Sequence, residues 1–276
     1  MSDKNIGDIL KEANNLGADQ VATILDYQRA NGVKFGEAAV ALGMVKRDDV
    51  LWALSKQFDY PYTTSDGLSK ELVLASAPFS EQAEEFRDVR SQLLDAVFAQ
   101  PGSRRAVAVV SPNVGDGKSY FAANLAIAFS QLGSRTLLVD ADFRTPRQHQ
   151  MFDAVAANGL SSYLAARAEV NVLRPLEDFP DLYLLPVGIV PPNPLELVQR
   201  PAFMELLSSL REKFEYIIID TPAAEHGADC KAVAAAAGAA LIVGRKGQSG
   251  ITPVKNLLKS LQRVKVNVAG LVLNEH

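Results

Sequence analysis

The chain has 276 residues, 48% of them hydrophobic, with a formal net charge of -4, enough for one large core and a small second domain. The mildly acidic balance, with basic pairs such as Arg104 and Arg105 isolated, argues against a nucleic-acid partner. One cysteine, Cys230, excludes an internal disulfide framework and fits a reducing cytoplasm, and His149, His226 and His276 lack metal-ligand spacing.

In chain order, the first sixty residues hold an internal repeat: the segment from Ile6 aligns with the segment from Phe35. Gly7 matches Gly36, Asp19 matches Asp48, Val21 matches Val50, Leu25 matches Leu54 and Gln28 matches Gln57. Each copy predicts a short helix, a turn, and a second helix opening at its aspartate. Trp52, Phe58, Tyr60 and Tyr62 are expected to pack rather than to stack on a ligand. The predicted organisation is a helical domain over 1–63, a linker over 64–80 and a nucleotide-binding domain over 81–276. A helix is expected over 80–99, with Phe86, Val89, Leu93, Val97 and Phe98 on its apolar stripe and Glu84, Arg87 and Arg90 on a polar row.

Beyond it, strands are expected at 106–110, 136–140, 182–187, 216–220, 239–244 and 268–274, with helical patterns between most of them. That alternation predicts an α/β fold, a mostly parallel sheet covered by helices on both faces and preceded by the small helical domain. The uncharged stretch 232–244 is too short for a bilayer span, and the N-terminal MSDKNIGD is no signal peptide. A cytoplasmic protein, brought to a membrane by a partner, is expected.

Residues 111–120, SPNVGDGKSY, stand between the first of those strands and a helical run, the order of a phosphate-binding loop. Backbone N-H groups and a helix N-terminus converge there on phosphate oxygens, with Lys118 as a point charge and Ser119 as an oxygen for Mg2+. Gly115, Asp116, Gly117, Lys118, Ser119 and Tyr120 are the candidate nucleotide contacts, although Pro112 holds the place of the loop's usual first glycine. Downstream, TLLVDADFR delivers Asp140 and Asp142 at a strand end, both facing one way if the strand continues, and YIIID delivers Asp220. The three carboxylates suit Mg2+ held jointly with ATP phosphates.

The set SPNVGDGKS, LLVDADFR and IIIDTP, with NGLSSYL and PVGIVPPNPLELV, resembles the bacterial tyrosine kinases that regulate polysaccharide chain length, over residues 84–276. The signature lysine of partitioning and cell-division ATPases would fall at Asn113, which sets the chain apart from that branch. The resemblance implies that Lys118 and Ser119 bind phosphate and Mg2+, and that Asp140 helps hold metal and activates the acceptor hydroxyl. It further implies that Ser119, Asp142 and Asp220 form the metal site and that Asn274 lies against the adenine. Arg144 would contact phosphate or hold Asp142, with a surface or ion-pair arginine equally open. EFRDVR resembles the family's E-x-x-R-x-x-R helix, implying a homo-oligomer formed through Glu84, Arg87 and Arg90. The implied partner is a membrane-bound polysaccharide chain-length determinant protein, and the motifs resemble the EpsG-type branch.

Family members usually end in a tyrosine cluster, whereas the last tyrosine here is Tyr216. Another tyrosine or protein is then the acceptor, or the chain is a nucleotide-gated assembly switch. Tyr120 is read first as a packing residue. The N-terminal repeat resembles the helical domain of type II secretion ATPases, some of which bind cyclic di-GMP through arginines. Asn5 and Lys34 hold those positions here, so a docking or structural role is expected ahead of dinucleotide binding.

Overall fold

The computed structural model describes residues 5–57, 67–99, 106–165 and 172–275. Phe58, Tyr60, Tyr62, the 63–66 loop, Arg104, Arg105 and His276 lie outside the described residues. The chain divides into two compact units, Met1–Thr63 and Thr64–His276.

The first unit is two helix pairs, α1 (Ile6–Ala13) with α2 (Ala18–Asn31) and α3 (Phe35–Ala41) with α4 (Arg47–Gln57). Leu16, Ile24, Ala38, Ala39 and Val45 form its core. The helix starts are tied by short side-chain bonds. The Asn5 side chain accepts from Asp8 N at 3.0 Å, Gln20 accepts from Gly17 N at 2.9 Å and Glu37 from Lys34 N at 2.9 Å; one such cap contributes about 1 kcal/mol. Asp19 sits inside the first turn of α2 behind the cap residue Gly17, so the aspartate expected to open that helix follows its cap. Of the two repeated glycines, Gly36 is required by packing, because a Cβ on it would lie 2.6 Å from Val50 Cγ1.

The second unit is built on a seven-stranded sheet in the order β3-β4-β2-β5-β1-β6-β7. Its strands are β1 (Ala106–Val110), β2 (Thr136–Asp140), β3 (Arg174–Leu176), β4 (Phe179–Leu185), β5 (Tyr216–Asp220), β6 (Ala239–Arg245) and β7 (Asn267–Asn274). All pairings are parallel except that of β3 with β4. The central strands are buried along their whole length, as a doubly covered sheet demands. Alternation survives in the cores: Ala106, Ala108 and Val110 pack into one hydrophobic cluster, Val107 and Val109 into the other.

The first cluster is completed by α11 (Pro201–Lys213), α12 (Asp229–Ala237) and α13 (Ile251–Arg263). The second is completed by α6 (Glu81–Leu93) and α7 (Lys118–Ser130). The helix predicted over 80–99 ends in a π-helical turn over Leu94–Phe98. The described part of the predicted linker is no free connection: Leu72 and Leu74, around the short helix α5 (Val73–Ser76), are fully buried, and Asn124 accepts from Leu74 N and donates to Glu71 O. Edge strand β3 and the short helices α8 (Gln148–Met151), α9 (Leu160–Leu164) and α10 (Pro194–Val198) were not anticipated.

The turn before α9 crosses the loop after β4 backbone to backbone. Leu160 N donates to Pro186 O at 2.8 Å and Ser161 N to Val187 O at 2.9 Å. A Cβ on Gly159 would stand 2.1 Å from Pro186 O, and one on Gly188, whose φ is +78°, would stand 2.6 Å from Gly159 N.

Gly36→Ala should lower the stability of residues 6–57 by about 1–3 kcal/mol, the usual range for overpacking. Amide hydrogen exchange would show faster opening there and unchanged protection in the sheet. Burial pushes the Cys230 thiol up to about 11, leaving roughly one thiolate in a thousand at pH 8. Alkylation at that pH should therefore track unfolding and be slow in the native chain.

Candidate functional site

The insertion of β5 between β1 and β2 places three strand ends side by side, where parallel sheets bind ligands. Asp140 lies opposite Asp220 across β2 and β5, and Asp220 lies opposite Val109 of β1. β1 runs into the phosphate loop, and α7 starts at Lys118. Gly117 has φ +92°, and a Cβ there would come within 2.1 Å of Asn274 Nδ2. Only glycine meets both demands.

The loop is braced from within. The Asp116 carboxylate is 2% exposed and accepts from Asn113 N at 2.8 Å and from the Ser249 hydroxyl at 2.6 Å. Asn274 Nδ2 donates to Asp116 O at 3.2 Å. Asp116, a candidate nucleotide contact, therefore offers a ligand its backbone, while its side chain shapes the loop. Pro112 supplies no N-H, and its carbonyl accepts from Glu225 N at 3.1 Å.

Lys118 Nζ lies 2.8 Å from Asp142 Oδ2 with both side chains buried. Burial lowers the lysine pKa, but the Asp220, Asp142 and Asp140 charges outweigh it and hold the ammonium above its ordinary value. β2 ends at Asp140, so Asp142 reaches the site through a turn rather than by strand alternation. Its Oδ1 accepts from Arg144 N at 3.1 Å and Thr145 N at 2.9 Å, and Thr145 Oγ1 donates to its Oδ2 at 2.9 Å. Both Asp142 oxygens are thus engaged by donors of the chain itself, and Oδ2 also pairs with Lys118. Arg144 neither holds Asp142 through its side chain nor stands free, because its Nε donates to Asp229 Oδ2 at 2.8 Å.

Asp140 and Asp220 are fully buried. Burial, then the charges of Asp220 and Asp142, push Asp140 well above the carboxylate range, against bonds from Gln148 N and Asp142 N. Burial also raises Asp220, against the Lys118 charge. Gln148, in α8, binds this pair together: its Nε2 donates to Asp220 Oδ2 at 2.8 Å and to Ser119 O at 3.0 Å, and its backbone N to Asp140 Oδ2 at 3.2 Å. Gln148, Asp229 and Ser249 escaped sequence reasoning. No motif marks them, and only tertiary folding brings Gln148 to Asp140 and Asp220, Asp229 to Arg144 and Ser249 to Asp116.

Among the described residues no group of three acidic, histidine or cysteine side chains is arranged to hold a metal ion by itself. Mg2+ needs none, since it keeps water and phosphate oxygens as ligands. Asp220 Oδ1 is buried with no hydrogen-bond partner of good geometry among the described residues, and the Ser119 hydroxyl stabilises the same carboxylate. That oxygen pair fits a hard cation. Beside it, a cavity of about 260 Å³ is lined by Phe86, Val89, Tyr120, Phe121, Leu273 and Asn274 among others. Tyr120 stands edge-on to Phe86 at 5.8 Å, and burial followed by the Glu85 and Glu71 charges raises its hydroxyl to about 12.

On α6 the arginines are bound within the unit. Arg87 pairs with Glu84 and also donates to Pro78 O, and Arg90 Nη1 donates to Ala128 O at 2.7 Å.

Gln148→Leu leaves the Asp220 carboxylate and the Ser119 carbonyl short of a donor, at about 1–3 kcal/mol for each buried group. Chemical denaturation without nucleotide should show the loss, and Gln148→Glu should be worse, because it adds a fourth carboxylate to the cluster.

Residues 102–276 match the family model described as ParA, NUBPL iron-transfer P-loop NTPase. The EpsB protein of Ralstonia solanacearum is 33% identical over 203 residues, 74% of this chain and 27% of that protein, so the chain spans less than a third of its length. The tyrosine-protein kinase CpsD of Streptococcus agalactiae is 31% identical over 172 residues, 62% of this chain and 75% of CpsD. The crystal structure of the chimerical protein CapA2B2 superposes with a TM-score of 0.70 at 31% identity, covering 81% of this chain and 97% of that one. With the phosphate loop, the VDAD turn and the IIID strand end converging as described, the chain belongs to the bacterial tyrosine-protein kinase family, built on the ParA-type P-loop fold.

Proposed function

We propose that the second unit binds Mg-ATP and transfers its terminal phosphoryl group to a tyrosine hydroxyl, acting with a membrane-bound polysaccharide chain-length protein. The observation that carries this reading is the buried Lys118 ammonium held on Asp142 at 2.8 Å, at the mouth of a loop of converging N-H groups. Bound Mg2+ would neutralise phosphate charge, with Ser119 and Asp220 as its protein ligands. Lys118 needs only a short swing from Asp142 to meet a phosphate oxygen, and Asp142 keeps it extended until then. Asp140, at the end of β2 opposite Asp220, is assigned as the acceptor of the attacking hydroxyl's proton. Asn274, pressed on the phosphate loop, and the cavity beside it receive the base of the nucleotide.

Tyr120 packs against Phe86 with a raised hydroxyl pKa, so we assign it to packing and place the acceptor elsewhere. Asn5 caps α1, and the first unit is read as structural or as a docking module. Among the described residues no helix is long and apolar enough to cross a membrane.

Purified protein with ATP and Mg2+, mapped for phosphotyrosine by mass spectrometry, tests this. Lys118→Met should lose about a hundredfold or more in transfer, the scale for removing one charge-stabilising group; because it also strips buried Asp142 of its ammonium, a thermal melt of the variant separates lost chemistry from lost fold. Turnover without phosphotyrosine would favour a nucleotide-gated assembly switch. Self-association through α6 is part of the same proposal: Arg87→Ala with Arg90→Ala should shift sedimentation toward the monomer in ATP and Mg2+. Because Arg90 also holds α6 to the Ala128 carbonyl, a thermal melt of that variant separates lost assembly from a loosened helix.

A further inference from the structure

One donor of the phosphate loop is already taken. Val114 N-H donates to the Glu225 carboxylate, which reaches it from the turn after β5. That turn is a single 3-10 turn, Ala224–His226. It is stapled beside the loop by Ala224 N on Ser111 O at 2.9 Å and Glu225 N on Pro112 O at 3.1 Å. Val114 and Glu225 are both exposed, so the contact lies at the open mouth of the loop and not in the core. No packing requirement calls for a carboxylate there.

The backbone N-H groups of such a loop attract anions, and Glu225 supplies one from the chain itself. Val114 precedes Gly115, Asp116 and Gly117, so its N-H lies outward of the donors that lead into α7. An inner diphosphate can use Gly115 through Ser119 without touching the Glu225 contact. A third phosphate extends toward Val114 and meets both an occupied donor and a negative charge. Lys118, which starts on Asp142, can meet a phosphate oxygen, but it does not free the Val114 donor that Glu225 occupies.

We infer that Glu225 is a specificity-determining residue that sets the preference of this site between nucleoside di- and triphosphates. Its carboxylate occupies Val114 N-H when a diphosphate or nothing is bound, and the terminal phosphate of a triphosphate must displace it. The inference rests on the nucleotide-binding reading of the loop. It predicts that the 224–226 turn moves with the presence of the third phosphate, because the side chain that leaves Val114 belongs to that turn.

The test is isothermal titration calorimetry with Mg2+ plus ADP, and with Mg2+ plus a non-hydrolysable ATP analogue, on the wild-type chain, Glu225→Gln and Glu225→Ala. The analogue should bind about tenfold tighter to Glu225→Ala, the scale of one hydrogen bond to a charged group. ADP affinity should stay within about twofold. Glu225→Gln keeps an acceptor for Val114 and loses the charge, so an intermediate gain supports the proposal and separates charge from hydrogen bond. An analogue-to-ADP affinity ratio unchanged in both variants, or analogue affinity that falls, overturns it while leaving the nucleotide site in place. Failure of the wild-type chain to bind either nucleotide overturns the site reading and this inference with it.

Discussion

Three buried carboxylates share one ammonium. Asp140, Asp142 and Asp220 are fully excluded from solvent around Lys118, and the imbalance of charge in a low-dielectric interior constrains everything nearby. Each carboxylate oxygen that can be given a donor has one: Asp140 takes N-H groups from Asp142 and Gln148, Asp142 takes Thr145 twice, and Asp220 takes the Gln148 amide. The exception is Asp220 Oδ1 beside Ser119. Without those donors the strand ends could not be brought together. With them, the centre still carries excess negative charge, which a bound cation relieves.

The sheet order makes that convergence obligatory. Because β5 lies between β1 and β2, two acidic strand ends and the phosphate loop become neighbours without help from long loops. This much was legible in the sequence. LLVD and IIID are apolar runs that stop at a carboxylate, and burial on both faces explains why such strands look continuous rather than alternating. The phosphate loop was legible because glycines at 115 and 117 are required by backbone conformation, with φ of +83° and +92°.

Other features had no local signature. Gln148 sits in RQHQM, which reads as a polar surface segment; its burial depends on α8 folding back over the strand ends. Asp229 looks like an ordinary first-turn acid of α12 until Arg144 arrives from 85 residues away in sequence. The 67–80 segment reads as a connection because it follows the loop-like TTSDG at 63–67 and runs to Pro78 without a clear period. Leu72 and Leu74 nevertheless fill the groove against α7, and Asn124 satisfies the backbone they bring with them. The alternation rule placed Asp142 correctly at the site and gave the wrong reason, since the strand ends two residues earlier. In the first unit the repeat was plain, but Gly36 gains its meaning only from Val50 lying against it.

Gly159 and Gly188 have a consequence for mutation. Each excludes a side chain from the other's position through main-chain atoms, which cannot rotate out of the way. A mutation at one is therefore not rescued by a change at the other, since neither has anything left to remove. A side chain placed at either position must shift the main chain of the other segment, so this crossing is set by backbone and not by rotamer choice.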